Sequence, residues 1–217
     1  MNTQCTRTNM IKQQLRTGDV LNEKILHLYD NMNRDEFVPE SFKPFAYTDM
    51  QIPLPHLQRM MTPLEEAKIL QSLDLKGHEV ILEVGTGSGF LTALLSRLCK
   101  KVISIDYFSD FSTMAQEKLA AFQCTNVELI TGDGCEGWPD KAPYDVILFS
   151  GAIESLTDSQ RLQLLPGGKL FAIVGQEPIM QGQLHTLDHE NHWQTDVVFE
   201  TSIPPLINKS KLPNFVF

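Results

Sequence analysis

The chain has 217 residues, 42% hydrophobic and 21% charged, a balance that supports a folded core and excludes wholesale disorder. Eighteen basic residues against 27 acidic ones leave a net charge of −9, which argues against non-specific binding to nucleic acid or to an anionic membrane. No apolar run reaches the ~18–20 residues of a membrane-spanning helix, and residues 1–16 carry no signal-peptide pattern.

In chain order, Asn22 predicts a cap for a helix whose apolar positions are Ile25, Leu26, Tyr29 and Met32. Pro39, Pro44, Pro53 and Pro55 then bar regular helix. So few apolar groups make a marginal core alone, so residues 1–62 are read as an arm of short helices and extended chain. The arm lies over residues 63–217, the two forming one domain over 1–217. Thr62 and Pro63, with Glu65 and Glu66 in the first turn, predict a helix running to about Leu73. Beyond it, strands are expected at Val80–Val84, Lys101–Asp106, Val127–Thr131, Asp145–Phe149 and Lys169–Val174. Helices are expected at Leu91–Leu98, Ser112–Phe122 and Ser159–Leu165. The strands are apolar on both faces, which predicts an α/β fold: a doubly wound, mostly parallel sheet with helices on both sides. Gln183–Leu187 and Trp193–Thr201 flank a polar turn at Asp188, His189, Glu190 and Asn191, reading as an antiparallel C-terminal hairpin at a sheet edge. The tail, with Pro204, Pro205 and Pro213, should be irregular.

Cys5, Cys99, Cys124 and Cys135 show no C-x-x-C spacing, so reduced thiols in a cytoplasmic protein are expected. His185, His189 and His192 are close in sequence but straddle the turn, with no carboxylate or cysteine at ligand spacing, so no metal is expected.

The strongest motif is Glu83-Val84-Gly85-Thr86-Gly87-Ser88-Gly89, which follows a strand and opens a helix. Acidic Asp106 ends the next strand, where a carboxylate holds ribose hydroxyls. Nicotinamide dinucleotides favour G-x-G-x-x-G; here the spacing is G-x-G-x-G, and Glu83 would repel a pyrophosphate. An acid there suits the ammonium of S-adenosylmethionine, with Gly85, Thr86, Gly87 and Ser88 forming the cofactor turn. After the third strand, Gly132-Asp133-Gly134 lies beside the same crevice: Asp133 would accept from the adenine amino group and Gly134 N–H would donate to a ring nitrogen. A solvated turn aspartate is the plainer alternative.

These residues resemble the protein-L-isoaspartate O-methyltransferase family, within the Rossmann-like S-adenosylmethionine-dependent methyltransferase fold. The matching segments are ILEVGTGSGFLTALLS, SID at Asp106, GDGCEGWP, APYDVILFSGA and LLPGGKLFAIVG, with FVPE and AYTD upstream and a weaker echo at Ile203–Leu206. The resemblance covers about residues 20–175. It implies cofactor roles for Glu83, Gly85, Gly87, Asp106, Asp133 and Gly134. It also implies methyl transfer to the free carboxylate of isoaspartyl residues in damaged protein, a repair reaction.

One segment departs. The family's T-I-S-x-P is replaced by Arg59-Met60-Met61-Thr62-Pro63, and a glycine-rich run before it by Pro53-Leu54-Pro55-His56-Leu57. Arg59, as a carboxylate clamp, and Thr62, as a replacement hydroxyl, are the candidate catalytic residues; a solvated arginine and a helix cap are the plainer readings. Because the acceptor loop is rebuilt, two alternatives stand beside protein repair: a methyltransferase with another acceptor, including a small molecule, and a non-catalytic S-adenosylmethionine-binding regulator.

Overall fold

The structure, a computed structural model, describes residues 3–190 and 192–207. Asn191 and Pro213, assigned from sequence to a turn and an irregular tail, lie outside the described residues. The chain opens with helix α1 (Thr3–Met10), which widens into a π turn at Ile11–Leu15. In α2 (Glu23–Asn31), the Asn22 side chain accepts from Lys24 N–H at 3.0 Å, the predicted cap. Two short 3-10 turns, Arg34–Glu36 and Glu40–Phe45, lead into a small ribbon in which β1 (Ile52–Pro53) pairs antiparallel with β2 (Arg59–Met60). The arm does not stand alone. Its Met10, Leu15, Tyr29, Phe37 and Ile52 share one buried cluster with Leu70, Phe90 and Leu94 of the core. Each such burial stabilises by about 1.5–3 kcal/mol, and most of it depends on the core beneath.

The core alternates as predicted: α3 (Pro63–Leu73), β3 (Val80–Val84), α4 (Phe90–Ser96), β4 (Lys101–Asp106), α5 (Ser109–Ala121), β5 (Val127–Thr131) and β6 (Tyr144–Ile153). There follow α6 (Asp158–Arg161), β7 (Leu164–Gln176), β8 (Ile179–Leu187) and β9 (Trp193–Thr201). The sheet order is β5-β4-β3-β6-β7-β8-β9; β3 to β7 run parallel, and β8 and β9 close the edge antiparallel. Neighbouring residues go to opposite faces. Ile81, Val102, Val146 and Phe171 join the cluster under the arm, and Leu82, Ile103, Ile147 and Ala172 join the other.

Three expectations are corrected. Among the described residues, no helix contributes to the buried cluster on the second face, where helices were expected on both sides. Between β5 and β6 the chain carries Gly132, Gly134, Gly137, Pro139 and Pro143, too many breakers for a helix, and forms a 3-10 turn at Pro139–Lys141. The helix expected at Ser159–Leu165 is one turn long. A capping box between Thr157 and Gln160 starts it, but Leu164 pairs with Tyr144 as the first residue of β7. β8 begins four residues earlier than expected because its pairing with β7 continues to the turn, at Gln176 with Ile179.

Candidate active site

β4 lies on one side of β3 and β6 on the other, so a crevice opens at their carboxyl ends. The glycine loop forms its floor. Gly85 has φ 101° and Gly89 φ 81°, conformations that only glycine adopts freely. A Cβ on Gly85 would collide with the Ser150 hydroxyl, and one on Gly89 would lie 3.0 Å from Ala115 Cβ in α5. Ser150 Oγ lies 3.0 Å from the Val84 carbonyl oxygen and 2.6 Å from that of Gly85, so its proton fastens the loop to β6. Sequence reasoning missed Ser150; its signal was a small polar residue ending the apolar run of β6.

Asp106 accepts from Gly87 N–H at 2.8 Å and from Phe108 N–H at 3.0 Å, and it lines the cleft. Burial raises its pKa above the ordinary value. Glu83 is elsewhere. It is fully buried, and its Oε2 accepts from the Thr92 and Ser104 hydroxyls, each at 2.6 Å. Burial pushes its pKa up to about 7. Its carboxyl, which the sequence suited to a ligand ammonium, is packed beneath the loop and lines neither cavity. Thr86 is buried too, with its hydroxyl 2.7 Å from Ser104, and Ser88 Oγ accepts from Phe90 N–H at 3.3 Å. Asp133 is exposed and accepts from Cys135 N–H at 3.0 Å; Gly134 and Cys135 line the cleft and Asp133 does not.

Two cavities meet over this floor. The larger, ≈ 620 Å³, includes Gly85, Gly87, Asp106, Phe108 and Gly134 in its wall. The smaller, ≈ 330 Å³, is walled by Met60, Met61, Thr86, Ser88 and Leu91. Leu54, Arg59, Gly85, Gly87 and Ser150 line both. The tail closes over the larger one: Leu206 N–H donates to the Ala152 carbonyl at 2.9 Å, which brings Ile203, Pro204 and Leu206 into the wall.

On the acceptor side, the structure separates the two predicted residues. Arg59 is exposed, lies on the shared wall, and makes no hydrogen bond or ion pair among the described residues. Thr62 is corrected to a helix cap. Its hydroxyl accepts from Glu65 N–H at 3.2 Å, Glu65 Oε2 accepts from Thr62 N–H at 2.7 Å, and neither cavity includes it. Met61 is buried and anchored from the arm: Arg34, also fully buried, donates to the Met61 carbonyl at 2.6 Å and pairs with Glu66.

A mostly parallel sheet, a glycine turn after β3 and an acid ending β4 make a crevice for an adenosine-bearing cofactor, and the class within that group is the S-adenosylmethionine-dependent methyltransferases. The family model for Protein-L-isoaspartate(D-aspartate) O-methyltransferase matches residues 5–210, and the chain belongs to that family. A protein-L-isoaspartate O-methyltransferase of Aliivibrio salmonicida is 32% identical over 94% of this chain and 97% of its own. One from Methanoculleus marisnigri is 35% identical over 78% of this chain and 77% of its own. Two solved structures share the fold with a TM-score of 0.78. One, a protein-L-isoaspartate O-methyltransferase, is 21% identical and matches over 93% of this chain and 66% of its own. The other, from Plasmodium falciparum in complex with S-adenosyl-L-homocysteine, is 16% identical over 95% and 99%.

The residues present fit the cofactor. Gly85 and Gly87 leave backbone at the cleft surface, and Asp106 presents a carboxylate at the end of β4. Asp106 has no cationic partner among the described residues, which leaves its carboxylate to accept from ribose hydroxyls. When bound, S-adenosylmethionine supplies an electrophilic methyl group on a positively charged sulfur.

Proposed function

We propose that this chain transfers that methyl group to the free carboxylate of isoaspartyl residues in damaged polypeptides, as a cytoplasmic repair enzyme built as one domain over residues 1–217. The observation that carries this reading is Arg59: an exposed guanidinium, with no partner among the described residues, on the wall common to both cavities. A guanidinium matches a carboxylate in geometry and charge. The acceptor needs no general base, because a carboxylate with pKa near ~4 is already ionised at neutral pH. The protein's work is therefore alignment and exclusion of water. Arg59 orients the acceptor, Leu54, Met60, Met61 and Leu91 supply apolar wall, and Asp106 with the Gly85–Gly87 turn holds the donor. Glu83 supports the turn from below, and Gly134, on the wall of the larger cavity, would meet the adenine end.

Arg59→Ala tests the acceptor role. With an isoaspartyl peptide the Michaelis constant should rise at least about tenfold, the loss of one charge-assisted hydrogen bond, while affinity for S-adenosylhomocysteine holds. An unchanged Michaelis constant would remove Arg59 from the acceptor site and reopen the question of which carboxylate, if any, this cavity takes.

A further inference from the structure

We propose that His56 is a positioning residue that clamps the acceptor hairpin onto the cofactor side of the cleft and so slows cofactor exchange. The hairpin spans residues 52–60, closed where Leu54 N–H donates to the Gln58 carbonyl at 2.8 Å. From it, Leu54, Gln58 and Arg59 line the larger cavity; from the opposite wall, so do Phe108 and Phe111. His56 joins the two walls. Its ring lies on Phe108 with centroids 3.9 Å apart and planes 4° from parallel, and it meets Phe111 edge-on at 5.6 Å. Its Nε2 lies 2.8 Å from Asp110 Oδ2, in the first turn of α5.

The backbone at this point is strained. His56 has φ 57° and the following Leu57 φ 59°, the left-handed region in which side chains other than glycine are disfavoured. Leu57 is 91% exposed, so its own packing does not hold it there. Such a conformation persists when surrounding contacts over-determine it. Here those contacts are the stack on Phe108 and the bond to Asp110, both reaching across the cleft. The clamp therefore sets where Arg59 stands relative to the donor and holds the hairpin against the Phe108 and Phe111 wall of the larger cavity. This inference rests on the cofactor assignment and not on the identity of the acceptor.

The test uses His56→Gly and Asp110→Ala, with release of S-adenosylhomocysteine followed by stopped flow and the thermal midpoint measured alongside. Glycine fits φ 57° without strain. His56→Gly, which removes both the stack on Phe108 and the bond to Asp110, should therefore speed release about tenfold, with an unchanged or higher thermal midpoint. Asp110→Ala should speed release less, because the stack on Phe108 survives, and His56→Phe should behave like Asp110→Ala. Release within about twofold of the parent in His56→Gly overturns the clamp, as does faster release accompanied by a matching drop in thermal midpoint. Failure of the parent chain to bind S-adenosylhomocysteine overturns the cofactor assignment, and the clamp with it.

Discussion

Among the described residues Glu83 is an ionisable group with no cation beside it, held by two hydroxyl donors on one oxygen while the other, Oε1, is buried without a partner. Its folded pKa, about 7, lies above the ordinary carboxylate value of 4.5. Folding therefore favours its protonated form, and that stability is fully present below pH 4.5 and is lost as pH rises toward 7. Glu83→Gln, which cannot ionise, should gain stability relative to the parent between pH 5 and pH 8, by up to roughly 3 kcal/mol for a shift of this size. Denaturant midpoints of the two proteins at both pH values check this; parallel curves would show that Glu83 titrates normally. Asp106 has a different expected signature. It faces the cleft, so Asp106→Ala should weaken S-adenosylhomocysteine binding at least about tenfold by calorimetry, and a change under threefold would argue against ribose contact. The residue types of both acids were legible from the motif, but their division of labour was not. Spacing along the chain places Glu83 two residues before the first glycine, whereas its burial is set by Thr92 and Ser104 on neighbouring elements.

Among the elements, α3 shows how a local signal competes with a functional one. The box of Thr62 and Glu65 is complete, so the hydroxyl that sequence reasoning offered to the acceptor already serves the helix. Thr62→Ala should cost about 1 kcal/mol of stability and leave the Michaelis constant for an isoaspartyl peptide unchanged, checked by parallel denaturation and steady-state kinetics. The strands β3, β4, β5 and β9 were legible to the residue because each combines apolar periodicity with a turn at both ends. α6 and β7 were not, because long-range pairing of Leu164 with Tyr144 overrides a sequence that caps well as helix. The ribbon of β1 and β2 left almost no periodic signal: each strand is two residues long, and its neighbours are prolines.

At the scale of the whole molecule, the site exists because the arm and the core are packed into one buried cluster. Arg34 concentrates that coupling. It pairs with Glu66 in α3, donates to the Met61 carbonyl beside the acceptor cavity, and lies 4.9 Å from the Phe90 ring at the start of α4. Arg34→Lys keeps a charge for Glu66 but loses the two-pronged reach of the guanidinium. It should lower turnover with an isoaspartyl peptide more than it weakens S-adenosylhomocysteine binding, and equal losses in both would point to general loosening of the fold. The parallel sheet and the cofactor floor could be read from sequence because they rest on short-range patterns. The acceptor side is assembled from the ribbon and the buried Arg34, and the tail near Leu206 closes the larger cavity; these are brought together only by tertiary packing.

The most direct measurement is transfer of labelled methyl from S-adenosylmethionine to a peptide containing one isoaspartyl residue, beside its normal aspartyl twin of identical sequence. A base-labile methyl ester is expected on the isoaspartyl peptide and none on the twin. Equal labelling of both, or labelling of neither by a chain that binds S-adenosylhomocysteine, would contradict the repair function.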